Sequence, residues 1–176
     1  MRRSTRKIQV GSVAVGGDAP VSVQSMCNTD TRDVVATSAQ VEALAAAGCE
    51  IVRCAVPDEV AAKALAPICK QSRIPKFAYI HFDYRLALMS LQAGVDGLRL
   101  NPGNIGERWK VEEVVKARVD RSVPIRIGVN AGSLEKELLE KHGHPTAEAM
   151  VESALGHIRI LEELNYQEIK VSLKSS

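Results

Sequence analysis

A parallel α/β barrel is the fold class this sequence predicts, and three observations predict it. Apolar strand-like runs alternate with helix-like runs along the chain, a pattern that in compact domains produces right-handed crossovers and a parallel sheet. Polar residues recur at the C-terminal ends of nearly all the strand-like runs. That distribution favours a barrel over an open doubly wound sheet, whose ligand sits at one switch point. No G-x-G-x-x-G follows an early strand, so the dinucleotide-binding form of the open sheet lacks its fingerprint.

The elements follow in order. "RKIQVGSVAVGG" (6–17) reads as a short hairpin turning at Gly-Ser, within an N-terminal segment 1–17 that precedes the repeating units of 18–176. "VSVQSM" (21–26) is the first strand of the larger pattern. "TSAQVEALAAAG" (37–48) is a helix with Thr37 or Ser38 as cap and Gly48 as stop, and "EIVRCAV" (50–56) is the next strand. "PDEVAAKALAPICKQS" (57–72) is helical, with Pro67 expected to kink or end it. Then come the strand "KFAYIHF" (76–82), the helix "DYRLALMSLQAG" (83–94) and the strand "GLRLN" (97–101). "GERWKVEEVVKARVD" (106–120) leads to "PIRIGVN" (124–130), and "EKELLEKHG" with "PTAEAMVESALGHIRILEELN" leads to "EIKVSLKSS" (168–176). The count is six of the eight strand–helix units of a TIM-type barrel, which typically needs about 250 residues. A chain ending in such a strand would leave an open edge, so the sequence is expected to be part of a longer protein.

Composition narrows the function classes. A chain of 176 residues, 45% hydrophobic and 3% aromatic, can bury one core built mainly of Ala, Val, Leu and Ile. Its 23 basic and 21 acidic residues leave a net charge of +2, which gives no broad basic field for nucleic acid. The basic first dozen residues lack the apolar centre of a signal peptide, and no apolar run approaches the roughly 18 residues of a membrane span. A soluble cytoplasmic protein is expected. Cys27, Cys49, Cys54 and Cys69 form no C-x-x-C pair and are expected to serve as reduced, small hydrophobes rather than as a disulfide or metal site. His142, His144 and His157 show no metal-ligand spacing.

Strand parity locates the candidate site, because alternate residues face opposite sides of a strand. Leu98 and Leu100 oppose Gly97, Arg99 and Asn101; Ile125, Ile127 and Val129 oppose Arg126, Gly128 and Asn130; Ile169, Val171 and Leu173 oppose Lys170, Ser172 and Lys174. The apolar faces are expected to pack on helices and the polar faces to line the lumen near the C-terminal mouth. Arg53 and His81 hold comparable late-strand positions, so Arg53, His81, Arg99, Arg126 and Lys174 converge. A strand arginine usually pairs with a carboxylate, yet the only acids within the six strands are Glu50 and Glu168, both at strand starts. Cations without local counter-charges point to an anionic ligand, and guanidinium forks match phosphate oxygens. Lys170 reads as a bottom-layer or surface charge. Asn101, Asn104 and Asn130 could instead be turn formers, and the glycine-containing ends "NPGN" and "NAGS" could offer backbone N–H groups to a phosphate.

Six segments, "SVQSMCNTDT", "IVRCAVP", "IHFDYRLAL", "GLRLNPGNIG", "PIRIGVNAGSLEK" and "KVSLKSS", together resemble, in the same order, the N-terminal barrel domain of the 4-hydroxy-3-methylbut-2-enyl diphosphate synthase family. The resemblance implies an oxidoreductase of the non-mevalonate isoprenoid pathway that reductively opens 2-C-methyl-D-erythritol 2,4-cyclodiphosphate, with electrons from ferredoxin or flavodoxin. It implies a substrate pocket at Arg53, His81, Arg99, Asn101, Arg126, Asn130 and Lys174. It also implies a 4Fe-4S cluster held by three cysteines and a glutamate in a C-terminal domain, and a homodimer. The cluster motifs have no counterpart in this sequence, so the chain alone is expected to bind the diphosphate without turning it over. Where the family usually reads A-D-I-H-F, this sequence has "AYIHF", and loss of that acid beside His81 is expected to weaken or alter the chemistry. Two other readings stand: another phosphate-handling barrel, such as a Schiff-base aldolase using Lys174, and a non-catalytic diphosphate-binding domain.

Overall fold

The computed structural model describes residues 4–117 and 122–175. The end of the helix expected over 106–120, the start of segment 1–17 and Ser176 lie outside these residues. A hairpin of β1 (Ile8–Val10) and β2 (Val13–Val15) precedes the units β3 (Gln24–Met26), α1 (Val34–Ala46), β4 (Ile51–Ala55), α2 (Glu59–Gln71), β5 (Lys76–Tyr79), α3 (Tyr84–Ala93) and β6 (Gly97–Arg99). After these come α4 (Pro102–Ile105), α5 (Arg108–Lys116), β7 (Ile125–Asn130), α6 (Lys136–His142), α7 (Ala147–Glu163) and β8 (Ile169–Lys174). The six strands β3 to β8 form one parallel sheet in sequence order.

The sheet curls. β3 and β7 are four strand spacings apart, which on a flat sheet is about 19 Å, yet Arg126 Nη1 on β7 donates to Gln24 Oε1 on β3 across 3.3 Å. Outward side chains Val52, Cys54, Ala78, Ile80, Leu98, Leu100, Ile125, Ile127 and Val129 are buried against the helices in one core, as parity predicts. Val10 of the hairpin packs with Ile51 and Phe77 in a small cluster at the N-terminal end of the strands. Gly97 leaves room for the Phe77 ring, since a Cβ there would lie 2.4 Å from it. The parity expectation departs at β8, where Val171 and Leu173 are 46% and 48% exposed. β8 is an edge strand, and among the described residues no helix covers its outer face there.

Local corrections have simple causes. α1 starts at Val34, and its cap is Asp33, whose carboxylate accepts the Ala36 N–H at 2.9 Å. Thr37 and Ser38 lie inside the helix and are buried; Thr37 Oγ1 donates back to the Asp30 carbonyl at 2.9 Å. Pro67 does not end α2, which runs on to Gln71 with Ala61, Leu65 and Ile68 buried against the sheet. That packing outweighs the single backbone hydrogen bond a proline removes. The stretch after Asn101 is one helical turn with Pro102 at its start, where a missing N–H costs nothing. Cys27, Cys49 and Cys54 are buried and Cys69 is half-buried.

Candidate functional site

The C-terminal mouth of the curled sheet gathers most of the polar residues that parity assigned to the lumen. Arg99 and Arg126 are register neighbours on β6 and β7, and Tyr79 of β5 faces Arg99. The Arg99 guanidinium lies 4.5 Å from the Tyr79 ring centre and that of Arg53 lies 5.1 Å from it. Tyr79 is therefore a π-rich spacer between two cations. His81 stacks obliquely on the same ring, 4.2 Å centre to centre.

Every hydrogen-bond partner of the three arginines among the described residues is neutral. Arg53 points Nε and Nη2 at Met26 Sδ (3.2 and 3.0 Å), Arg99 donates to the Gly128 carbonyl (2.9 Å), and Arg126 donates to Ser172 Oγ (3.2 Å) and Gln24 Oε1. Glu50 and Glu168 each precede their strand, and Glu50 accepts the Val23 N–H at the opposite end. The electrostatic strain is visible in the basicities. Burial, followed by the neighbouring arginines, pushes Arg126 below the usual guanidinium range. Burial lowers Arg99 as well, with Arg53 adding to it and Tyr79 opposing it. Burial and then Arg99 lower His81, and burial and then Arg126 lower Lys170. Lys170 is in the bottom layer, 5.2 Å from the Phe77 ring.

Close approach at Gly128 makes this arrangement possible. A Cβ there would stand 2.6 Å from both Nε and Nη2 of Arg99. Asn101 uses its whole amide on the same glycine, accepting its N–H at 2.8 Å and donating to its carbonyl at 2.7 Å. Asn101, Asn104 and Asn130 all keep negative φ, since Asn165 is the one described non-glycine residue with positive φ. They are therefore not left-handed turn formers. Tyr79, His81, Arg99, Asn101, Asn104 and Asn130 share one open cleft of about 470 Å³ with the segment 133–136, within the range of small-ligand sites. Arg53 and Arg126 are half-buried and do not line this cleft. Lys174 pairs in register with Asn130 but stands exposed at the end of the edge strand, apart from the arginines.

One expectation about the loops changes. The Gly103 N–H does not face the cleft as a phosphate donor, because His157 Nδ1 accepts it at 2.9 Å. The Asn104 and Ile105 amides are taken by the Asn101 carbonyl. His157 and Glu135, 3.0 Å apart beneath these loops, are site-supporting residues that sequence reasoning missed. The signal available was the Ser153/His157 pair on one helical face; nothing local links His157 to Gly103, 54 residues away. Among the described residues no group of three or more His, Cys, Asp or Glu converges as a metal site.

Comparison with known proteins adds the following. The family profile described as "GcpE TIM-barrel domain" matches residues 5–176. The 4-hydroxy-3-methylbut-2-en-1-yl diphosphate synthase (flavodoxin) of Geobacter sulfurreducens is 75% identical over 176 residues, all of this chain and 50% of that protein. The protein of the same name from Thermodesulfovibrio yellowstonii is 63% identical over 175 residues, 99% of this chain and 50% of its own. The chain thus spans about half the length of these relatives. Among solved structures, a 7,8-dihydropteroate synthase from Vibrio fischeri superposes with a TM-score of 0.65 at 11% identity over 95% of this chain and 66% of its own. A dihydropteroate synthase from Xanthomonas albilineans reaches 0.62 at 13% identity over 97% and 68%. At such identities the likeness concerns the fold alone.

Proposed function

The chain belongs to the GcpE TIM-barrel domain family, and from that premise we propose that it is the diphosphate-binding barrel half of a flavodoxin-dependent 4-hydroxy-3-methylbut-2-enyl diphosphate synthase. Its ligand is 2-C-methyl-D-erythritol 2,4-cyclodiphosphate. The observation that supports this most is the group of three guanidiniums itself: none has a carboxylate among its hydrogen-bond partners, and burial, with the neighbouring arginines adding to it, lowers Arg99 and Arg126. A diphosphate supplies the missing counter-charge, and charge-assisted hydrogen bonds to it would reverse the lowering at Arg99 and Arg126. The His81 ring and the amides of Asn104 and Asn130 line the cleft that would receive the polyol part.

The reaction proposed for the full-length protein takes up two electrons and two protons, opens the cyclic diphosphate and releases water. Flavodoxin is the donor printed in the relatives' names; ferredoxin is the other donor the family resemblance allows. The residues described do not fit a 4Fe-4S cluster: no cysteine triad converges, and the closest pair, Cys27 and Cys54 with Sγ atoms 4.0 Å apart, is buried. No step is therefore derived through a cluster on this chain. What these residues do is hold the diphosphate, orient it, and lower the cost of negative charge accumulating on it. A cytoplasmic setting and a homodimer of the full-length protein belong to the same proposal; among the described residues no helix is long and apolar enough to cross a membrane. The exposed Lys174 lends no support to Schiff-base chemistry, which requires a desolvated or cation-flanked amine.

Calorimetric titration of the chain with the cyclic diphosphate tests the reading. Arg99→Ala combined with Arg126→Ala should weaken binding at least about a hundredfold, two charge-assisted contacts being lost. Equal heats from the variant and the parent chain overturn it.

A further inference from the structure

Two loops of the mouth are tied together by a side chain that belongs to neither. Segment 101–105 leaves β6 and carries Asn101 and Asn104; segment 130–135 leaves β7 and carries Asn130. His157 projects from α7 and is 3% exposed. Its Nδ1 accepts the Gly103 N–H at 2.9 Å, which requires the proton to sit on Nε2. Nε2 lies 3.0 Å from Glu135 Oε1, and Ser153 Oγ donates to that same oxygen at 3.0 Å. The other carboxylate oxygen of Glu135 is buried without a hydrogen-bond partner, so the imidazole and one hydroxyl supply the hydrogen bonds that hold this acid in place. The fit is tight: a Cβ on Gly103 would stand 2.5 Å from His157 Cε1. Glycine is present in "NPGN" for this contact.

We propose that His157, as the neutral Nε2–H tautomer, is a positioning residue for the cleft: through the Gly103 amide and the Glu135 carboxylate it clamps the Asn101/Asn104 loop to the Asn130 loop. The inference rests on reading the cleft as the cyclic diphosphate site. Asn101 already anchors the start of its loop to Gly128, so His157 provides the second point that defines the loop's tilt. An imidazolium would set an Nδ1–H against the Gly103 N–H, two donors facing each other, and the clamp would open. Burial lowers the basicity of the ring, while Glu135, the carboxylate facing it, works in the opposite direction.

The test separates this inference from the reading beneath it. In a ¹⁵N-labelled, ligand-free chain at pH 8, the His157 ring should show an unprotonated Nδ1 and a protonated Nε2; an Nδ1–H tautomer or an imidazolium overturns the proposal. His157→Asn places an acceptor near the old Nδ1 and should keep the Gly103 amide resonance near its place. His157→Gln reaches instead toward Glu135 and should release it. Titrated with 2-C-methyl-D-erythritol 2,4-cyclodiphosphate, His157→Phe should bind about tenfold more weakly, with His157→Asn recovering part of the loss. Affinities that follow each variant's melting temperature, regardless of which bond it keeps, would show a merely structural histidine and refute the clamp. If the parent chain binds no cyclic diphosphate, the proposed function fails, while the His157 tautomer and the Gly103 amide resonance in the His157→Asn and His157→Gln variants still decide the clamp.

Discussion

Replacing Gly128 with alanine probes the cationic mouth through a single methyl group. The new Cβ would lie 2.6 Å from Nε and Nη2 of Arg99 and 2.9 Å from its Cζ, whereas carbon contacts are comfortable near 3.5 Å, so the guanidinium must retreat by about 1 Å. The retreat breaks its 2.9 Å bond to the Gly128 carbonyl and moves it off the Tyr79 ring, now 4.5 Å away. Overpacking costs about 1–3 kcal/mol, and the lower end applies because the clashing atoms end a long, adaptable side chain. A misplaced charge-assisted contact to the ligand is worth about 1.5–3 kcal/mol, or roughly ten- to a hundredfold in affinity. Calorimetry with the cyclic diphosphate and thermal melting by circular dichroism read the two effects separately. Gly132→Ala is the control, since a Cβ there meets nothing within 4 Å. If Gly128→Ala binds as tightly as the control, Arg99 does not depend on the space that glycine leaves, and the reasoning fails.

Other outcomes follow from the same geometry. Tyr79→Asp puts a carboxylate between Arg53 and Arg99 and should cost at least about tenfold in diphosphate affinity, while Tyr79→Phe keeps the ring and stays within about twofold; equal affinities for the two variants would exclude the spacer role. In a complete enzyme the same Tyr79→Asp exchange should change the turnover rate, as loss of the family's acid predicts, and an unchanged rate counts against that expectation. His157 is held below the ordinary histidine value by burial. The unfolded chain therefore binds the extra proton first, and stability, complete above about pH 6.5, declines as pH falls below it. Urea unfolding at pH 8 and pH 5.5 should show this loss, and His157→Asn should flatten it.

Much of the fold was legible because periodicity reports burial directly. Alternating residues in "GLRLN" and "PIRIGVN" separate a helix-packed face from a lumen face whatever the neighbouring strands are, and that alone places Arg99 and Arg126 together. Cap positions were less legible. Asp33, Thr37 and Ser38 are all competent caps, and which one caps depends on where the chain enters the helix. Pro67 misled in the same way, since propensity is a local quantity and the burial of Ala61, Leu65 and Ile68 is not.

By itself the sequence determined the strand–helix alternation, the face on which each strand residue lies, the excess of cations over acids on the lumen face, and the family. Each is encoded by residues close in sequence or by ordered matching of segments. Only the tertiary structure decided that Tyr79 separates two guanidiniums, that Gly128 admits Arg99, that Lys174 stands apart, and that His157 captures the Gly103 amide. These depend on distances between elements up to 54 residues apart, set by how far the sheet curls and how closely α7 packs on it, which no local pattern contains.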